Sequence, residues 1–397
     1  MKYLIAIFLL LLIRSCTNGN TNNNIANTNN IANDTVVKKE NKTTFFTDTT
    51  KFTLASFFSN NETLIKKVDS IFNTLSINEK AAQLIMQATS EYKNVGFPFA
   101  QVKKNVENKQ IGGVLYLKGT ARKFSENIVT LNQISIKNKI LPLLNSCDCE
   151  PTLFHKKFTD MDPVTPANAM VTNVLIDKGA TTIAYKMKQM GIQLNFAPIA
   201  DVAYNQAIIK TRSFSNNSSE IIERASRFVG TTQTLGIAAT IKHFPGHGAV
   251  VGDSHKNLVY INGTLTEVNT FKEIITKSNP IAVMVGHLAI ENNPLYKPNI
   301  PATLSYKIIT LLLKNEIGFK GIVVTDAMQM KAVAAIPNAS WKALVAGADL
   351  ILMPIDVERL HNQIVKELNI KDSKLSAKFE KSIKKIIRLK LCTGLIK

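Results

Sequence analysis

The chain has 397 residues, 45% of them hydrophobic, and a formal net charge of +19. That hydrophobic share in so long a chain excludes a disordered polymer and admits two ordinary domains or one large α/β barrel. The lysines are scattered, without the aromatic interleaving of single-strand binders, so no nucleic acid is expected; an anionic membrane surface or acidic envelope polymer suits the charge better.

Residues 1–16 read as an export signal. Lys2 supplies a positive start, the apolar run Tyr3 to Ile13 is too short to span a bilayer stably, and Arg14-Ser15-Cys16 follows. A small residue directly before a cysteine resembles a bacterial lipoprotein box, although Arg14 is atypical there. Cys16 is then the lipidated first residue, attaching the chain to a membrane. The plainer alternative is a secretory signal cleaved nearby. Residues 17–52 are dominated by Asn and Thr and cannot bury enough apolar surface to order themselves, so they are expected to form a flexible tether. Residues 53–397 are expected to form one catalytic domain, monomeric and working outside the cytoplasm.

From Thr53 onward helical and strand patterns alternate. Ser76-Ile77-Asn78-Glu79 is a capping box, and a short strand follows near Leu84 to Gln87. Gly112 to Leu117 and Leu141 to Asp148 read as buried strands. A helix through Ala180 to Met190 stops at Gly191 and leads into a strand over Gln193 to Asp201. Further strands are expected at Ala238 to Ile241, Ile281 to His287, Gly321 to Asp326 and Ala348 to Pro354, with a Ser305-capped helix closing at Gly318 and a basic helix over Asp372 to Lys397. Eight apolar strands alternating with helices predict an α/β fold of the (β/α)8 TIM-type barrel class. A doubly wound open sheet is the alternative, but no G-x-G-x-x-G or Walker loop is present. C-x-C at Cys147 and Cys149 is not by itself a metal site, and with Cys392 these thiols are expected to be buried and unpaired.

Three of the six histidines fall in KHFPGHGAVVGDSH, Lys242 to His255. His243 and His247 have the spacing of a helical zinc site, but Pro245-Gly246 between them breaks any helix, so neither metal nor cofactor is expected. Each histidine alone could simply be satisfied by loop carbonyls. Asp253-Ser254-His255 allows another use: residues two apart in an extended segment share a side, so Asp253 could orient His255 as an acid/base. Asp148, Asp201, Lys242, His243, His287 and Asp326 all fall at the C-terminal ends of expected strands, which in a barrel form one rim.

These segments resemble family 3 glycoside hydrolases, specifically the single-domain β-N-acetylglucosaminidase branch. The resemblance is carried by KHFPGHG with DSH downstream, NFAPIADV, RSF at Arg212 to Phe214, IPATLS, GFKGIVVTDAMQM and AGADLILMP, and runs from about Leu75 to Pro354. It implies a retaining exo-enzyme acting on GlcNAc-containing oligosaccharide such as peptidoglycan fragments or chitooligosaccharides. Asp326 would be the nucleophile, Asp253 and His255 the acid/base dyad, and Asp148, Arg212, Lys242 and His243 the sugar-binding residues. The sequence departs from the family at Asp148-Cys149-Glu150, where Pro151-Thr152 replaces two glycines and Lys156 or Lys157 replaces an arginine. The loop is therefore expected to be reshaped. Two alternatives stay open: a GlcNAc phosphorylase on the same fold, whose neutral histidine would not repel phosphate, and a catalytically impaired sugar-binding lipoprotein.

Overall fold

The computed structural model describes residues 52–205, 209–250 and 258–397. Among them, eight parallel strands stand side by side in chain order: β1 (Ile85–Thr89), β2 (Gly113–Tyr116), β3 (Leu144–Cys147), β4 (Leu194–Asn195), β5 (Ala238–Phe244), β7 (Ala282–Val285), β9 (Ile322–Thr325) and β10 (Ile351–Leu352). Two further strands, β6 (Val259–Asn262) and β8 (Leu288–Glu291), pair in parallel as a separate small sheet. The main sheet curls until its ends meet. β10 pairs with β1, and a parallel bridge joins Val324 to Leu350, with the Thr325 amide donating to the Leu350 carbonyl at 3.1 Å. This closure decides for the barrel over the open sheet.

The residue types explain the closure. Runs such as Ile322-Val323-Val324 and Ala282-Val283-Met284-Val285 are buried throughout, as parallel strands must be when the lumen and a ring of helices cover their two faces. The helices follow the expected signals. Ser76 and Glu79 form a reciprocal capping box, with the Glu79 amide donating to the Ser76 hydroxyl at 3.3 Å and the Ser76 amide to Glu79 at 2.9 Å. The helix Asn173–Met190 ends at Gly191, whose φ of 82° is left-handed and suits a residue without Cβ. Ser305 caps the next helix as expected, its hydroxyl accepting the Ile308 amide at 3.4 Å, but the Lys307–Glu316 stretch is wound as π-type turns. The basic C-terminal segment is helical over Lys374–Cys392. No helix among the described residues is long and apolar enough to cross a membrane.

Cys392 is buried and free, but Cys147 and Cys149 are joined by a disulfide, which corrects the reading of all these thiols as unpaired. Both cysteines emerge on the same side of the chain end leaving β3, with Cα atoms 5.5 Å apart, within bonding range. The strands β6 and β8 were not expected. Each is only four residues long, and β8 begins one residue after His287, so the sequence reads as a continuation of the strand before it.

Candidate active site

All strands of the barrel run the same way, so their C-terminal ends form one rim. Asp148 follows β3 directly, Asp201 follows the β4 segment, Lys242 and His243 lie within β5, His287 follows β7, and Asp326 follows β9. Burial determines what each of these groups can do.

A cluster of alternating charge gathers between β3 and β5. Lys242 is 2% exposed, and its ammonium group is held by the carboxylates of Asp148 and of Glu150, the latter at 2.5 Å. Glu150, fully buried, accepts a fork from Arg212: Nε to Oε2 at 2.7 Å and a terminal nitrogen to Oε1 at 2.6 Å. Lys157 adds a second cation to Asp148 at 3.4 Å. Burial pushes the Asp148 carboxyl upward, but Lys242, Lys157 and Arg212 outweigh it and hold the group well below the usual carboxylate range. Burial likewise works against the charge on Lys242, yet Asp148 and Glu150 raise it above the ordinary lysine value against the opposing pull of Arg212. Asp148, Lys242 and Arg212 are therefore held in their charged forms. The cluster's partly exposed members, Asp148, Lys157 and Arg212, present charged hydrogen-bonding groups to a polar ligand.

The departure from the family pattern is visible in how this loop is pinned. Thr152 donates to the Thr211 carbonyl at 2.7 Å and accepts from the Ala167 amide at 3.1 Å. Its hydroxyl thus ties the turn after Glu150 to the residue beside Arg212. Lys157, rather than the exposed Lys156, is the one that reaches the cluster.

Asp201 organises the neighbouring ground. It is completely buried, and its Oδ1 accepts the backbone amides of both His243 and His247 at 2.9 Å. Its Oδ2 accepts Nδ1–H of His243 at 2.7 Å, which fixes that tautomer and leaves Nε2 as the other ring nitrogen. The two imidazoles are 5.8 Å apart, on a strand and the turn after it rather than on a helix. His247 is held below the ordinary imidazole value, chiefly by burial. Glu267 braces this turn from beneath, accepting the Val202 amide at 2.8 Å and the Gly248 amide at 2.9 Å. Burial and the charge of Asp201 push Glu267 up to about 8. Gly248 passes so close to the Val202 carbonyl that a Cβ would lie 1.7 Å from the oxygen, so no other residue fits there.

Asp326 completes the rim. Its amide donates to the Val285 carbonyl at 2.9 Å, and its own Oδ1 accepts the Ala327 amide at 2.7 Å, which fixes the short side chain at the strand end. Burial raises its pKa, but His287, His243, the Ala327 amide and Lys242 together pull it below the usual range, so it is an anion. His287 reaches the Ala327 carbonyl through Nε2 at 2.9 Å and Thr303 through Nδ1 at 2.8 Å, which anchors the backbone just after Asp326.

Of the residues singled out from sequence, the structure brings Asp148, Arg212 and Lys242 into one cluster and sets His243 and Asp326 within electrostatic reach of each other. Asp253 and His255 lie outside the described residues, as does Cys16. Glu150 and Glu267 were not read as site residues from the sequence, and Asp201 was placed on the rim without a role. Glu150 and Asp201 were visible within motifs there, but nothing in the sequence indicated what each would hold.

The model of the glycosyl hydrolase family 3 N-terminal domain matches residues 76–389. The chain belongs to this family. Among curated relatives, Beta-hexosaminidase A of Pseudoalteromonas piscicida is 34% identical over 203 residues, covering 47% of this chain and 34% of that protein. Beta-hexosaminidase of Photobacterium profundum is 27% identical over 266 residues, covering 64% of this chain and 78% of its own length. A solved structure of a glycoside hydrolase family 3 β-N-acetylglucosaminidase from Paenibacillus sp. str. FPU-7 superposes with a TM-score of 0.70 at 25% identity, over 81% of this chain and 63% of that one. This family 3 chain thus spans about a third of the first relative and just under two thirds of the solved enzyme.

Proposed function

We propose that the protein is a retaining exo-β-N-acetylglucosaminidase, exported and held at a membrane through Cys16, that removes terminal β-GlcNAc from peptidoglycan fragments or chitooligosaccharides. The observation that carries this reading is an ionised Asp326 on the same rim as the Asp148–Lys242–Glu150–Arg212 cluster. A short carboxylate fixed by the backbone suits a nucleophile for an anomeric carbon, and the charged cluster suits sugar hydroxyls.

In this scheme Asp326 attacks the anomeric carbon while His255, oriented by Asp253, gives its proton to the departing glycosidic oxygen. The C–O bond breaks and a glycosyl ester forms on Asp326. His255 then takes a proton from water, the water oxygen attacks the same carbon, and the ester bond breaks. Two inversions retain the β configuration.

Hydrolysis of p-nitrophenyl β-GlcNAc tests the proposal. Asp326→Ala is expected to lower kcat/KM by about 10³-fold or more, in line with loss of a nucleophile; unchanged turnover would end the reading. Because Asp326 is held below the ordinary carboxylate range, the acid limb of the wild-type kcat/KM profile should also lie below that range. His255→Ala should still release a first burst of nitrophenol, since this leaving group needs little protonation, and then stall until azide is added. NMR of the first product should show the β anomer. Sugar 1-phosphate formed in phosphate buffer would instead identify a phosphorylase.

A further inference from the structure

The Cys147–Cys149 disulfide sits at the strand end that carries the sugar-site acids. Cys147 is the last residue of β3, locked into the sheet by pairing with Tyr116 and Asn195 and by the Phe196 amide donating to its carbonyl at 2.9 Å. Cys149 is held independently: its amide donates to the Asn195 side-chain oxygen at 3.0 Å, and its carbonyl accepts from the same side chain at 3.4 Å. Both cysteines are completely buried, whereas Asp148 between them is partly exposed and reaches Lys242 and Lys157. Successive side chains on an extended segment point to opposite sides. A bond joining residues 147 and 149 on one side therefore holds Asp148 on the other, toward Lys242, and the next residue, Glu150, enters the cluster with Arg212.

We propose that the Cys147–Cys149 disulfide is a positioning element of the sugar site, a covalent ring that fixes Asp148, and Glu150 after it, against Lys242 and Arg212. The proposal rests on the function proposed above for what the site binds, but the ring and its effect on the loop can be read without any turnover. It also explains how a loop carrying Pro151-Thr152 keeps a defined path at this point: closure by sulfur fixes the backbone on one side of Glu150 and the Thr152 hydroxyl fixes it on the other. Opening the ring takes a dithiol. One reagent thiolate attacks a cysteine sulfur and displaces the other cysteine as a thiolate; the second reagent thiol then frees the first cysteine and closes a cyclic disulfide. Two electrons pass to the protein, which gains two thiols. Formation is the reverse exchange with a disulfide oxidant, available to an exported protein.

The test compares three samples: wild type isolated after export without reductant, the same protein unfolded and refolded in dithiothreitol, and Cys147→Ala/Cys149→Ala. Alkylation and mass measurement of the first sample should find residues 147 and 149 unavailable, and free thiols there would overturn the proposal. For p-nitrophenyl β-GlcNAc, KM should rise roughly 10–100-fold in the opened forms, the scale of a lost hydrogen bond to a charged group, with kcat within about threefold. Asp148→Ala should raise KM in the oxidised protein but add little to the double variant, because both changes act through one side chain. A purely structural role would instead lower folding stability and leave KM unmoved, with additive effects, and that result rejects the proposal. Amide exchange over residues 148–153 should be much faster in both opened forms. If oxidised wild type releases no nitrophenol, the proposed activity fails, and the exchange result alone decides the ring: equal exchange in open and closed forms rejects it.

Discussion

Glu150 is fully buried against two cations, and its carboxylate, with that of Asp148, offsets the charges of Lys242 and Arg212 inside the barrel mouth. Glu150→Gln keeps the shape and removes that charge. Breaking a buried ion pair from one side typically costs about 3–5 kcal/mol, and a urea melt should register a loss of that order, together with a raised KM as Arg212 loses its fork. A melt within about 0.5 kcal/mol of wild type would mean water enters the cluster freely. At this scale the sequence was only half informative. Asp148, Arg212, Lys242 and Asp326 could be picked out because each stands at a strand end or in a motif. The pairing of Glu150 with a guanidinium 62 positions away could not be read, because only the closing of the barrel brings those loops together. The same holds for Asp201, whose two oxygens are occupied by the turn from His243 to His247.

Among the elements, the C-terminal helix Lys374–Cys392 carries two opposite solutions to burying a charge. Lys385 and Ser382 turn toward Asp349, whose carboxylate also holds Lys314 and the Val323 amide, so every member has a partner of complementary charge or polarity. Burial opposes ionisation of Asp349, but Lys314 and Lys385 keep it well below the usual range. One turn further on, Lys390 is fully buried, its partners among the described residues being the Gln83 side chain at 2.7 Å and the Gly112 carbonyl at 3.1 Å, and burial pulls it down to about 7. The unfolded chain would hold that proton up to the ordinary lysine value of about 10.4. Between these two values the unfolded state binds more protons, so this group makes stability rise with pH across that window, and its full penalty is present below about pH 7. Lys390→Met should flatten the rise between pH 7 and 9.5, as read from paired urea melts; an unchanged slope would show that the ammonium is solvated. The helix itself was legible as a basic helical stretch. Which of its lysines turned inward was not, since Lys385, Lys390 and the exposed lysines look alike in sequence.

For the whole molecule, the barrel was legible because eight apolar runs each needed covering on two faces, and a closed parallel sheet ringed by helices is an economical way to do that. What the pattern could not show was the small β6–β8 sheet and the disulfide, since both depend on where loops meet after the ring has formed. The last helix also fastens the ends of the domain: Lys384 pairs with Asp69 at 2.8 Å, and Arg388 donates to the Ser56 and Ser59 carbonyls. A chain stopped after Ser373 loses these contacts and the cover over Asp349. It should show no cooperative melt by circular dichroism, and a sharp transition in that fragment would refute the dependence.

Ring closure carries a consequence for synthesis. β10 stands between β1 and β9, so the earliest strand waits for one of the last stretches to be translated before its outer edge is paired. Until residue 352 has emerged, two bare margins of the sheet face outward, each able to recruit a foreign strand. Closing the circle removes both margins at once, so the hazard ends only when the last strand docks.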